Sequence, residues 1–344
     1  MPRGFYIIMG AQFFSSLADN ALLVAAIGLL VQLSAPDWLP PYLKFCFVIS
    51  YVVLAPYVGA FADRLPKGKV MFISNAIKIC GCLLMLFGVD PLIAYAVVGL
   101  GAAAYSPAKY GILTEYLPHS RLVAANGWIE GLTVASIILG TLVGGGLVSQ
   151  TFSAQLLAFD IPHIETGIDT APELAISIIV FFYAVAAIFN LYIPDTGVDH
   201  RIPDKNPFSM IQDFAHCVKL LWTDKLGQIS LAVTTLFWGA GATLQFIVLK
   251  WAETALGYTL SQATTLQGVV AVGIAAGSIL AAKFIPLNRA VRVLPMGVGM
   301  GMVVIAMNFV STLEVAMPLM IIIGGLAGFF VVPMNALLQH RGTS

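Results

Sequence analysis

The chain has 344 residues, of which 59% are hydrophobic and only 10% charged, and its formal net charge is zero. Soluble globular proteins carry about 25% charged residues, so this chain has too little polar surface to cover itself in water. The zero net charge gives no support for a nucleic-acid partner, and the four cysteines lack the spacing of a metal or redox site. These features argue against a soluble domain and favour an integral membrane protein.

Apolar blocks of bilayer-spanning length, separated by polar breaks, predict about ten membrane spans. Each span is predicted to be helical, because lipid offers no partner to an unpaired backbone N–H or C=O group. The first block starts at Phe5 and is too long for a signal peptide, so we expect it to be retained. The predicted spans are residues 5–33, 43–62, 69–88, 91–114, 123–149, 173–193, 226–252, 263–284, 292–310 and 317–338.

Lysine and arginine are distributed unevenly between the two sides of the predicted membrane. With the N-terminus in the cytoplasm, 13 of the 17 fall on cytoplasmic flanks, the exceptions being Lys44, Lys78, Lys109 and Lys250. An excess of basic residues is typical of cytoplasmic loops. The sequence therefore predicts a multi-pass membrane protein with a cytoplasmic N-terminus.

The first span contains one ionisable residue, Asp19, about 20 Å from the start of the span at 1.5 Å per residue. A charged group within a span is costly and indicates a functional site. Asn20 beside it, like Asn126 in the fifth span, is either a ligand or a residue that forms hydrogen bonds between helices.

The loop between the second and third spans runs Gly-Ala-Phe-Ala-Asp-Arg-Leu-Pro-Lys-Gly-Lys from Gly59. We expect Gly59 to let two helices approach closely. Asp63 can accept hydrogen bonds from the N–H groups at a neighbouring helix start. Arg64 and Lys67 can pair with carboxylates or lipid headgroups. We interpret these four residues as a cytoplasmic gate; the alternative is an ordinary positively charged loop.

Ionisable residues also occur in the third, fourth and fifth spans. Lys78 is expected to extend to the headgroups, because the third span usually faces outward. Lys109 and Glu130 lie near the cytoplasmic ends of neighbouring spans, so they can pair, or Lys109 can pair with Asp19 in one state of a transport cycle. Lys109 with either carboxylate would satisfy a zwitterionic headgroup. The alternative is an ion pair that only holds helices together.

Glycines spaced four apart predict tight contacts between helices. The fifth span contains Gly140 and Gly144, and the later spans contain many more glycines. None of them follows a predicted strand, which excludes a phosphate-binding loop. The five histidines lie in or near predicted loops without ligand spacing. We therefore predict no enzyme activity, no metal site and no cofactor.

The longest polar interruption, residues 194–225, contains an amphipathic stretch. Its apolar residues Phe208, Ile211 and Phe214 share one helical face, as expected of a helix that lies along the cytoplasmic headgroups. This linker would separate an N-terminal six-helix bundle, residues 1–193, from a C-terminal bundle, residues 226–344. On a six-plus-six plan the second bundle lacks its last two spans.

The loop from Gly59 resembles the signature of the major facilitator superfamily, G-x-L-A-D-R-x-G-R-K. Pro66 stands where the family has glycine, and Gly68 where it has a basic residue. The resemblance implies an all-α major facilitator fold of two six-helix bundles that rock around a central cavity, with Asp63 contacting the eleventh span. Gly145 stands where proton-coupled drug antiporters have proline, which argues against that function.

Two further segments closely resemble the bacterial lysophospholipid transporters: Gly-Ala-Ala-Ala-Tyr-Ser-Pro-Ala-Lys-Tyr-Gly from Gly101, and Leu-Ala-Asp-Asn-Ala-Leu-Leu from Leu17. Similar runs follow Ala125, Phe237 and Gly328. The resemblance covers essentially the whole chain. The substrate site we expect comprises Asp19, Asn20, Tyr105, Lys109, Asn126, Glu130 and Gln245.

Gln245 departs from the family, whose members carry arginine at this position. The change removes a candidate partner for phosphate and puts in doubt a lock between Asp19 and the seventh span. Lys250 is either a substitute for that arginine or a plain interfacial anchor.

The resemblance implies a flippase that moves lysophospholipids, chiefly lysophosphatidylethanolamine, from the outer to the inner leaflet of the inner membrane. A cytoplasmic acyltransferase and acyl-carrier-protein synthetase system would then reacylate them. One alternative is a proton- or ion-coupled carrier of a small solute, with Asp19 and Glu130 as titrating groups. Another is a non-transporting membrane subunit that docks an acyltransferase.

Overall fold

The computed structural model describes residues 2–149, 151–152, 154, 168–197, 207–285 and 287–342. Within the helices, the side chains of some residues are not described: 114, 119–124, 126–127, 130, 207, 230, 234, 237–238, 240, 242, 282, 287–288 and 335–342. The regular structure of the described residues is helical throughout, as predicted. The chain divides into two compact units, residues 1–211 and 212–344, and the boundary falls inside the segment predicted to be a linker.

The first unit contains six long helices that match the first six predicted spans. Polar or proline residues set several of their starts: Asp90 caps the helix that begins at Pro91, and Glu173 accepts a hydrogen bond from the backbone N–H of Thr170 at the start of the sixth helix. The helices are α1 Arg3–Gln32, α2 Pro40–Arg64, α3 Lys67–Leu86, α4 Pro91–Tyr116, α5 His119–Leu147 and α6 Ala171–Leu191.

An amphipathic helix and five further helical segments follow. The second of these helices ends at Gly257, whose φ of 64° is the left-handed conformation that commonly ends a helix. The segments are α7 Pro207–Thr223, α8 Lys225–Leu256, α9 Leu260–Phe284, a 3₁₀ helix Leu287–Val293, α10 Leu294–Met307 and α11 Leu313–Gly342.

Eight of the described helices are long and apolar enough to cross a membrane. They correspond to α1–α4, α6, α9 and α11, and to residues Arg289–Met307, which join the end of the 3₁₀ helix to α10. The predicted spans 123–149 and 226–252 coincide with α5 and α8, and residues Gly131–Leu147 of α5 form a shorter apolar helix. The prediction of about ten spans therefore agrees with the structure.

Helix α7 has the apolar face that the sequence predicted. Phe208, Phe214 and Trp222 are exposed, and every residue from 211 to 220 is exposed as well. A helix of this length is marginal in water when it is isolated. Its membrane-surface position stays a prediction, which the exposed apolar face supports.

Within the first unit, α1 packs against α5 and α6, α3 against α4 and α6, and α2 against α4. A side chain at Gly140 would come within 2.5 Å of the carbonyl oxygen of Leu17, and one at Gly144 within 2.8 Å of that of Ala21. The predicted close contact at these two glycines is confirmed, and it lies between α5 and α1.

A hydrophobic cluster fills the end of the first unit near the start of α1. It is built by Phe5, Ile8, Met71, Ile112 and Ile129, all fully or almost fully buried. These residues come from α1, α3, α4 and α5. The cluster therefore closes the bundle on the side of the N-terminal end of α1.

Helices α9 and α11 meet through glycines. A Cβ atom added at Gly324 would collide with the carbonyl oxygen of Val270, and one at Gly277 with that of Gly325. We expect Gly324→Ala to lower the free energy of unfolding by about 1–3 kcal/mol, because the close backbone contact leaves no room for a methyl group. Thermal unfolding of the purified protein in detergent micelles measures the effect.

Gly301→Ala is the matched control. A Cβ at Gly301 in α10 would meet no described atom within 4 Å. Alanine also favours a helix over glycine by about 1 kcal/mol. This variant should unfold at the same temperature as the parent protein or higher. Equal destabilisation by both substitutions would contradict the close contact between α9 and α11.

Candidate functional site

A polar cleft lies among α1, α2, α3 and α4, near the middle of these spans. Most of the residues around it are polar or aromatic, although the four helices are otherwise apolar. A polar cleft at this depth is where membrane transporters bind their substrates. Its lining comprises Gln12, Ser15, Ser16, Asp19, Tyr51, Lys78, Ala102, Tyr105, Ser106 and Lys109.

An ion pair forms one wall of the cleft. The ammonium group of Lys78 in α3 lies 2.8 Å from Oδ2 of Asp19 in α1. The side chain of Lys78 is 1% exposed, whereas that of Asp19 is 24% exposed. Asp19 is therefore the member of the pair that the cleft reaches more easily.

Hydrogen bonds extend this pair into a network across three helices. The Lys78 ammonium donates to Oγ of Ser15 at 3.0 Å, and Ser15 donates to Oδ1 of Asn75 at 2.8 Å. The hydroxyl of Tyr183 in α6 donates to the other carboxylate oxygen of Asp19 at 2.7 Å. The network therefore ties α1 to both α3 and α6.

Aromatic rings complete the surroundings of the Lys78 ammonium. It lies 5.0 Å from the ring centre of Tyr105 in α4 and 5.5 Å from that of Tyr183. Both distances suit a cation–π interaction. The ammonium is thus stabilised by a carboxylate, a hydroxyl and two aromatic faces.

The prediction that Lys78 extends to the headgroups is wrong. Its ammonium is buried in the first unit and paired with Asp19. Gly101 makes this possible, since a side chain there would come within 2.7 Å of Cγ of Lys78 and 2.5 Å of the carbonyl oxygen of Ser74. The missing side chain lets α4 pack directly over this stretch of α3.

Lys109 does not pair with Asp19 in this structure, where Lys78 takes that place. The Lys109 ammonium lies 4.5 Å from the ring centre of Tyr110, and its side chain lines the cleft. The structure therefore brings together three of the predicted substrate residues, Asp19, Tyr105 and Lys109. Their role in binding stays a prediction.

The other predicted substrate residues lie elsewhere or outside the described side chains. Asn20 donates to the carbonyl oxygen of Ser16 at 2.8 Å, a hydrogen bond within its own helix. The side chains of Asn126 and Glu130 lie outside the described part of the chain. Gln245 lies in α8 of the second unit, where its backbone carbonyl oxygen accepts a hydrogen bond from the side-chain amide of Gln267.

Lys250 also lies in α8, and its ammonium is 3.0 Å from a carboxylate oxygen of Glu253. The side chains of both are exposed by more than half. This local pair is compatible with the interfacial anchor that the sequence left open.

Lys67 is the centre of the predicted gate. Its buried ammonium contacts the carboxylate of Asp63, donates to the carbonyl oxygen of Ala62 at 2.9 Å and lies 3.3 Å from Glu115 at the end of α4. Glu115 also accepts a hydrogen bond from Thr196, just after α6. Lys67 thus links the α2–α3 loop to α4 and to the segment that follows α6.

Two details of the gate differ from the prediction. Among the described residues, a side chain at Gly59 would meet no atom within 4 Å, so they show no close approach of helices there. The partner observed for Asp63 is the ammonium of Lys67 rather than the N–H groups of a helix start. Arg64 is exposed.

Sequence reasoning missed five residues of these networks: Ser15, Asn75, Glu115, Tyr183 and Thr196. A usable signal was present for two of them. Ser15 precedes Asp19 by four residues and Asn75 precedes Lys78 by three, so each polar pair shares one helix face. Two polar faces on spans of one bundle indicate that the spans meet there.

Comparison with known proteins places this geometry among transporters. A family model described as Major Facilitator Superfamily matches residues 8–343. A protein of Yersinia pestis (strain Pestoides F) named lysophospholipid transporter LplT is 42% identical over 343 residues, which cover 99% of this chain and 80% of that protein. A protein of the same name from Yersinia pseudotuberculosis serotype O:3 (strain YPIII) matches to the same extent.

Solved structures of transporters share the fold. A bacterial homolog of the human lysosomal transporter Spinster, in an inward-facing and unoccupied conformation, has a TM-score of 0.72 at 18% identity. The match covers 98% of this chain and 75% of that one. A D-xylose–proton symporter has a TM-score of 0.64 at 13% identity, over 98% of this chain and 84% of that one.

Proposed function

Because this chain belongs to the lysophospholipid transporter family of the major facilitator superfamily, and is thus a multi-pass membrane transporter, we propose that it flips lysophospholipids between leaflets. The chief substrate is lysophosphatidylethanolamine, and the movement runs from the outer to the inner leaflet. The membrane is the bacterial inner membrane, with the N-terminus in the cytoplasm, as the distribution of lysine and arginine favours.

The cleft in the first unit is the observation that supports this proposal. It holds one carboxylate, Asp19, and two ammonium groups, Lys78 and Lys109, at the depth of the membrane spans. A lysophosphatidylethanolamine headgroup carries one ammonium and one phosphodiester. Each of its charges therefore has a partner of opposite sign in the cleft, which offsets the loss of hydration.

A reacylating enzyme on the cytoplasmic side is the partner that this direction of transport requires. A lysophospholipid has lost one acyl chain, so an acyltransferase and acyl-carrier-protein synthetase system would consume the product. We expect this system to act on the inner leaflet, where the flipped headgroup becomes accessible to it.

Reconstitution tests the proposal directly. Purified protein in liposomes receives fluorescent lysophosphatidylethanolamine in the outer leaflet, and a membrane-impermeant reductant then bleaches only the outer pool. We expect the protected fraction to rise above that of empty liposomes, without any ion gradient. Protection equal to that of empty liposomes, with and without a proton gradient, would overturn the proposal.

A further inference from the structure

The Asp19–Lys78 pair sits at the wall of a cleft, where its two members differ in access. Both residues line the cleft, yet Lys78 is 1% exposed and Asp19 is 24% exposed. The carboxylate thus covers the ammonium group from the side on which a ligand would arrive. An ion pair whose only role was to join two helices would not need to border the cleft.

The surroundings of Lys78 could hold a phosphate oxygen in place of the carboxylate oxygen. An ammonium group has three N–H donors. Asp19 Oδ2 accepts one at 2.8 Å, and the Ser15 hydroxyl accepts another at 3.0 Å. A phosphodiester carries the same single negative charge as the carboxylate, so exchanging one for the other leaves the charge beside Lys78 unchanged.

Asp19 would not be left unpaired by this exchange. Its Oδ1 keeps the hydrogen bond from Tyr183 at 2.7 Å, and an ionised carboxylate offers about four acceptor sites. The ammonium of a zwitterionic headgroup can take the place that Lys78 leaves. An ion pair and a zwitterion thereby exchange partners, and every charge stays paired.

The second lysine of the cleft provides the attraction that draws the phosphate in. Lys109 lines the same cleft from α4. Its ammonium group adds a second positive charge beside that of Lys78, and both attract the phosphodiester of an arriving headgroup.

We propose that Lys78 is a substrate-binding residue whose ammonium is covered by Asp19 at rest and takes the lysophospholipid phosphodiester when that group displaces the carboxylate. The inference rests on the proposed function and names the phosphate partner within it. It predicts that Asp19 opposes the binding of a phosphate that lacks an amine, although Asp19 takes part in transport.

Lipid-induced thermal stabilisation of the full chain in detergent micelles tests this exchange. The proteins are the parent, Asp19→Asn, Lys78→Gln and the double variant. The probes are oleoyl-lysophosphatidylglycerol, which has a phosphodiester and no amine, and monooleoylglycerol, which has the acyl chain and no phosphate. Titrations of each probe give an apparent Kd for each protein.

We expect Asp19→Asn to lower the apparent Kd for oleoyl-lysophosphatidylglycerol by about tenfold, because the competing carboxylate is gone. Lys78→Gln should raise this apparent Kd by about tenfold. In the double variant, the tighter binding produced by Asp19→Asn should disappear. Affinity for monooleoylglycerol should stay constant. If Lys78→Gln fails to fold, Asp19→Asn and the double variant give the same comparison, since they differ only at Lys78.

A purely structural pair would behave differently. Its loss would change the affinity for both probes alike, and Asp19→Asn would not favour the phosphate-bearing probe; that result would overturn the inference and leave the proposed function standing. The proposed function has its own test: if reconstituted protein moves no lysophosphatidylethanolamine, the proposed function fails, and the role of Lys78 fails with it.

Discussion

Replacing Lys109 with alanine is expected to lower the initial rate of lysophospholipid movement by about 100-fold while leaving the protein folded. The side chain lines the cleft from α4, so its loss removes a cation from the headgroup site. Its ammonium also lies 4.5 Å from the ring centre of the adjacent residue Tyr110, a contact within one helix. The reductant-protection assay measures the rate, and the thermal unfolding midpoint checks the fold.

Lys44→Ala is a matched control for this experiment. Lys44 also lies within a helix beside an aromatic ring, 5.5 Å from the ring centre of Phe47, but it does not line the cleft. Its removal should change the initial rate of lysophospholipid movement less than twofold, which corresponds to about 0.4 kcal/mol in free energy. Equal rates for Lys109→Ala and Lys44→Ala would remove Lys109 from the site.

Lys67→Ala is expected to destabilise the first unit by roughly 3 kcal/mol. The substitution leaves Glu115, whose side chain is only 17% exposed, without the ammonium that lies 3.3 Å away. Asp63 adds little to this loss, because its side chain is 68% exposed and well solvated. Thermal unfolding at a fixed scan rate, in detergent micelles, reports the loss.

Two further variants separate the buried charge from the loop as a whole. Lys67→Ala/Glu115→Gln should recover most of the stability, because it removes both charges of the pair. Lys69→Ala changes an exposed lysine two residues after Lys67, in the first turn of α3, and should shift the unfolding midpoint little. If Lys69→Ala and Lys67→Ala shift it equally, the effect belongs to loop charge and not to the contact with Glu115.

The helices could be predicted from the sequence because bilayer spans are long, apolar and limited by polar or proline residues. The predicted span 91–114 differs from α4 only at its last two residues. The major facilitator fold inferred from the loop at Gly59 is confirmed by the family match. Boundaries were missed where polar turns extend a helix: α8 continues past Glu253 to Leu256, until Gly257 ends it.

The site could be predicted only in part. Asp19, Tyr105 and Lys109 were identified and share one cleft, because charged and aromatic residues in a span are conspicuous. The partner of Asp19 was not identified. Which lysine it meets depends on the rotation of α3 about its axis, and this is fixed by packing at Gly101 rather than by local sequence.

The partners of Asp19 are far from it in the sequence, and this bears on how the protein is made. Lys78 lies 59 residues after Asp19 in the sequence, and Tyr183 lies 164 residues after Asp19. When α1 enters the bilayer, its carboxylate has neither partner, and an aspartate at the centre of a span raises the free energy of insertion by about 2.5–3.5 kcal/mol. We expect the newly made first span to be held by the translocation machinery until α3 follows. Its stable integration thus depends on a helix that has not yet been synthesised when α1 first meets the membrane.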